Sequence, residues 1–131
     1  MADIKQARVF IRVARRDFTA LGGMHDATIF ADEIVGFHVQ QAVEKCLKAW
    51  LCVKGVTFPF THDLNRLIVM LRDSGEDVTA LWWADEFTLF AQQARYEHGH
   101  LQEDAPLDRK DILGRVEKLL VSVEEVALGT A

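Results

Sequence analysis

The chain has 131 residues, with 50% hydrophobic side chains, only 8 Gly and 2 Pro, and a formal net charge of −5. That much apolar content excludes a disordered chain, and so few breakers exclude an all-β protein with a turn every ~8–12 residues. The acidic balance excludes coating of nucleic acid by bulk electrostatics and leaves room only for a local site.

The first element is expected from about Asp3 to Leu21. Ile4, Ala7, Ile11, Ala14, Phe18 and Leu21 form a helical seam, and Arg8, Arg12, Arg15 and Arg16 lie off it. Gly22 and Gly23 end it. A long second helix is expected from about Thr28 to Lys54, stopping at Gly55. Val35, Val39, Ala42, Cys46, Ala49 and Val53 make a tight stripe, widened by Val43, Leu47, Trp50 and Leu51. A helix this apolar is covered on more than one side, as the centre of a bundle or at a subunit interface. Its polar arc carries His38, Gln41, Lys45 and Lys48. Gly36 inside it costs ~1 kcal/mol relative to Ala and permits close packing. Cys46 and Cys52 on one helix would lie ~9 Å apart along its axis, too far for a disulfide. Two free thiols point to a reducing cytoplasm.

Thr61 reads as the N-cap of a third helix, with Asp63 in its first turn and Leu64, Leu67, Ile68 and Leu71 on its face. Ser74-Gly75 stops it. A fourth helix is expected from about Thr79 to Arg95, with Trp83, Phe87, Phe90, Ala91 and Ala94 on one side. The fifth follows Pro106, with Asp108 as N-cap and a stripe of Ile112, Leu113, Val116, Leu119, Leu120 and Val123. No apolar run approaches the ~20 residues of a membrane span, and no leader pattern opens the chain. The expected architecture is a single all-α domain over residues 1–131, an antiparallel up-and-down four- to five-helix bundle.

Three clusters carry candidate chemistry. On the long helix, buried Gln41 and Lys45 require partners. A network fixing helix register and a ligand-facing surface both remain open there. In the connector, capping explains Thr61 and Asp63, and His62 stands beside them. Near the end of the fourth helix, Arg95 and His100 bracket four residues. An arginine fork grips phosphate oxygens, and a histidine exchanges protons near neutral pH. The pair suits metal-independent handling of a phosphodiester. His98 and His100 beside Glu97 are a weak metal set, and neither a metal nor a cofactor is expected.

These clusters are where a resemblance lies. Phe37 to Ala49 reads F-H-V-Q-Q-A-V-E-K-C-L-K-A, Phe58 to Leu64 reads F-P-F-T-H-D-L, and Ala94 to Tyr96 reads A-R-Y. In this order and spacing the chain resembles the prokaryotic HEPN domains, over nearly its whole length. The resemblance implies a helical bundle that commonly forms homodimers. It implies a partner, a minimal nucleotidyltransferase, in a two-component system of the toxin–antitoxin kind. Active members are metal-independent ribonucleases with an Arg, four to six residues and a His, which map onto Arg95 and His100. In that mechanism Arg95 holds the scissile phosphate, and His100 assists the 2′-hydroxyl or protonates the leaving oxygen. Active toxins usually place a polar residue after the Arg and a Tyr two places after the His, where this chain has Tyr96 and Gln102. The Arg-Tyr form marks a branch whose domain binds nucleotide or substrate for its partner. The leading expectation is therefore a cytoplasmic accessory protein that binds through His38, Gln41, Lys45, Lys48, Arg95 and Tyr96. An endoribonuclease toxin using Arg95 and His100 is the alternative, and a dimerising scaffold without a ligand is a third.

Overall fold

The computed structural model describes residues 2–91 and 106–130. Among the described residues, four α-helices and one 3-10 segment make a helical bundle, with no strand. Helix α1 is Ile4–Gly22, α2 is Asp32–Lys54, α3 is Leu64–Asp73, the 3-10 segment is Trp82–Ala91, and α4 is Arg109–Thr130. Helix α2 touches all the others, as its breadth of apolar surface predicts.

Helix α1 starts at Asp3, whose carboxylate accepts from the Gln6 amide (3.0 Å). Ala7, Ala14 and Leu21 are its buried line, and Ile4, Ile11 and Phe18 pack beside them. The two small residues in that line let the α1 backbone come close to α2. The Asp3 amide donates to the Cys52 carbonyl (2.8 Å), and Asp17 meets His38 at the opposite end, so α1 and α2 are antiparallel.

Helix α2 begins at Asp32, four residues later than the sequence predicts. Asp26 is the reason. Its carboxylate accepts from the Thr28 amide and hydroxyl, and its carbonyl from the Ile29 and Phe30 amides, which closes a separate turn. Gly55 ends α2 at φ 72°, a left-handed position that suits glycine. Cys46 and Cys52 are both buried free thiols. Burial pushes the Cys46 thiol well up, so it is not a nucleophile in the folded chain.

The bundle is helical as expected, but one connection is not a reversal. His62 lies beside Gln40 and Glu44, whereas Glu76 lies beside Trp50 and Lys54. Helix α3 therefore runs in the same sense as α2. The connector 56–63 makes this possible, because eight extended residues can retrace several helical turns. Phe58 packs on Phe10 along the way (ring centroids 6.2 Å apart). The N-cap of α3 is Asp63 rather than Thr61. Asp63 accepts from the Asn65 and Arg66 amides, and the Thr61 hydroxyl accepts from the Asp63 amide one step earlier.

Of the α-helix expected over Thr79–Arg95, residues 92–95, with Ala94, lie outside the described residues, and the part up to Ala91 differs in kind. Thr79 belongs to a turn held by Asp77, and the described helix is 3-10. Leu81, Ala84, Phe87 and Phe90 are buried at every third position, while Trp83 is only half-buried. A three-residue period eclipses side chains at i and i+3, which is 3-10 geometry. The Phe87 and Phe90 rings accordingly stack, with centroids 5.5 Å apart. Gly36 faces this segment. A Cβ there would lie 2.0 Å from Cε1 of Phe90, so the close packing depends on the missing side chain.

Helix α4 starts as predicted, with the Asp108 carboxylate accepting from the Asp111 amide (3.1 Å). Arg109 donates to the carbonyls of Met24 and Phe30 and to the Asp32 carboxylate, which ties α4 to the α1–α2 loop. Further along, Arg15 pairs with Glu124.

Candidate functional site

The sequence places Gln40, Glu44 and Lys48 four residues apart, so they share one face of α2. All three are buried. A carboxylate in that position loses its hydration and must be repaid with hydrogen bonds. Glu44, whose side chain is 1% exposed, receives them on both oxygens. Its Oε1 accepts from Gln40 Nε2 (2.9 Å) and His62 Nδ1 (2.7 Å). Its Oε2 accepts from Lys45 Nζ (2.9 Å) and Lys48 Nζ (3.0 Å). A carboxylate has about four lone-pair positions, and here all are used. Burial works to raise the Glu44 pKa. The bonds from Lys45, Gln40, His62 and Lys48 outweigh it and hold the carboxyl down to about 2. Glu44 is therefore ionised, can only accept, and obliges His62 to carry its proton on Nδ1.

A second tier surrounds this hub. Gln40 Nε2 also donates to the His62 carbonyl (3.1 Å), which pins the connector. Gln41 Nε2 donates to Gln40 Oε1 (2.6 Å), and Lys45 Nζ donates to Gln41 Oε1 (3.2 Å). Lys45 thus keeps one of its three N–H donors uncommitted among the described residues. Lys48 Nζ lies over the rings of Phe58 (6.0 Å) and Phe60 (5.6 Å). Phe60 itself is 93% exposed. Two ammonium groups beside one carboxylate leave the cluster net positive on an acidic chain.

Of the sequence-predicted site residues, Gln41, Lys45 and Lys48 come together around Glu44, with Lys48 beneath the surface and Lys45 nearer to it. His38 does not join them. Its Nδ1 meets Asp17 of α1 (2.9 Å), and its ring stands edge-on to Phe37. Arg95, Tyr96 and His100 lie outside the described residues, as do Glu97 and His98. Sequence reasoning missed Gln40, Glu44 and His62 as a unit. The four-residue spacing of Gln40, Glu44 and Lys48 within the apolar stripe was the available signal. Among the described residues, no group of three His, Cys, Asp or Glu side chains is placed to hold a metal ion.

Among the described residues no helix is long and apolar enough to cross a membrane. Searches of the curated proteins and of the solved structures found no match to this chain. The family comparison did find one, a HEPN domain over residues 4–126, which takes in the Glu44 cluster and all three sequence motifs. By that match the chain belongs to the HEPN domain family.

Proposed function

We propose that this HEPN protein is the accessory member of a two-component, toxin–antitoxin-like nucleotidyltransferase system, binding a nucleotide or substrate for its partner. The observation that carries the reading is Lys45. It is fixed by Glu44 and Gln41 at the edge of a net positive cluster, with one N–H donor left, among the described residues, for an anion. A pre-positioned ammonium of this kind loses little side-chain entropy on binding, which favours affinity. Arg95 and Tyr96, which follow in the A-R-Y motif, belong to the same proposal, as does assembly as a homodimer. Titration of the chain with nucleotides, alone and with the partner nucleotidyltransferase, tests it. Saturable binding is expected, weakened about tenfold or more by Lys45→Ala. Absence of binding in both settings would sink the proposal.

A second reading rests on the Arg95-x4-His100 spacing and makes the chain a metal-independent endoribonuclease. Expressed alone, it would then slow growth, and either Arg95→Ala or His100→Ala would relieve the effect. Cleavage that persists in both variants would remove this site.

A further inference from the structure

The connector presents a feature that the Lys45 reading does not use. Phe60 is a large apolar ring left 93% exposed, yet it is not loosely held. Pro59 precedes it with a fixed φ. Lys48 Nζ sits over the ring at 5.6 Å, and the His62 ring meets it at 5.7 Å with an interplanar angle of 72°. Lys48 is anchored in turn on Glu44, and so is His62. One buried carboxylate therefore sets the positions of an ammonium, an imidazole and, through them, an exposed aromatic face. The imidazole is half exposed and has Nδ1 turned inward, so Nε2 is the nitrogen available to a ligand.

The geometry points to Phe60 and His62 as a ligand subsite for a nucleoside monophosphate, with the base stacked on the open face of Phe60 and the phosphate held by His62 Nε2 and Lys45. This rests on the nucleotide reading of the Lys45 cluster and names its missing half. Stacking on an aromatic face suits any base, because every base offers a π-face. Lys45 and His62 are both bonded to the Glu44 carboxylate, Lys45 on Oε2 and His62 on Oε1, which keeps the two phosphate-binding groups close together. Glu44 and Lys48 act as positioning residues and do not touch the ligand.

The test is a residue-resolved NMR titration of the full chain with millimolar AMP, adenosine and inorganic phosphate. AMP is expected to move the Phe60 ring protons and the His62 Nε2 signal together. Phe60→Ala, at an exposed position, should weaken AMP about tenfold and leave inorganic phosphate unchanged. His62→Gln should weaken AMP and phosphate alike. AMP binding that survives Phe60→Ala undiminished but is lost in Lys45→Ala overturns the Phe60 subsite and leaves the nucleotide reading standing. Failure of the native chain to bind AMP overturns the mononucleotide subsite, whereas the nucleotide reading falls only if binding is absent with the partner nucleotidyltransferase as well. Binding of a four-nucleotide oligoadenylate much tighter than AMP overturns the mononucleotide assignment in favour of an RNA strand.

Discussion

Two stretches of α2, about 12 Å apart along its axis, meet their neighbours in opposite ways. At Gly36 the helix gives up a side chain so that the Phe90 ring can lie against its backbone. At Glu44 it keeps a charge in the interior and surrounds it with four donors. The first contact is decided by volume and the second by electrostatics. Volume errors strain a site locally, whereas a lost charge leaves several partners unsatisfied at once. The ionic contact should therefore be the more fragile to single substitution, although it is not thereby the better source of stability.

Glu44→Ala tests the larger side of that contrast. It strands two ammonium groups, the Gln40 amide and the His62 N–H, and should cost ~3–5 kcal/mol of stability in urea denaturation. A cost below ~1 kcal/mol would show that water satisfies the orphaned donors. Gly36→Ala should cost less, ~1–3 kcal/mol, because the Phe90 ring must shift from the new methyl group. Combining it with Phe90→Leu should cost less than the sum of the two single changes, and strict additivity would break the proposed contact.

Acidification sharpens the comparison with the smallest effect under ordinary conditions. The Glu44 pKa is lowered from 4.5 to about 2 in the folded chain. Its ionised form is thus favoured by folding, and the unfolded chain binds more protons between those values. The stabilisation is fully present above the ordinary carboxyl pKa and is lost as the pH falls from about 4.5 through about 2. Thermal melts over that range should show this decline in the native chain. Glu44→Gln should remove the part due to this residue, while Gly36→Ala should retain it.

Much of this was legible in the sequence for local reasons. The seven-residue recurrence of Ala7, Ala14 and Leu21, and the Asp108 cap of α4, follow from helix geometry alone. Gly36 stood out because glycine is costly inside a helix. The 3-10 segment was hidden by the size of Trp83, which groups with Phe87 and Phe90 on an α-helical face and draws attention away from Leu81 and Ala84. The arc of Gln41, Lys45 and Lys48 was visible, but its centre was not. Glu44 lies among apolar positions, and its partner His62 arrives from another element 18 residues away. His38 shows the converse, since a shared arc did not prevent it from turning to Asp17 on α1. Helical periodicity describes one helix at a time, and these contacts depend on where a connector returns.

Arg109 carries a consequence for the order in which the chain acquires its shape. The loop between α1 and α2 has its Met24 and Phe30 carbonyls bound by a guanidinium that lies 85 and 79 residues later in the sequence. During synthesis the first two helices can pair long before that residue emerges, so their connection must wait for the last helix to be fastened. Arg109→Ala should extend this waiting state into the finished protein, and limited proteolysis should then cut within residues 23–31 while α1 and α2 survive. Equal resistance in the native and substituted chains would show that the loop closes by itself.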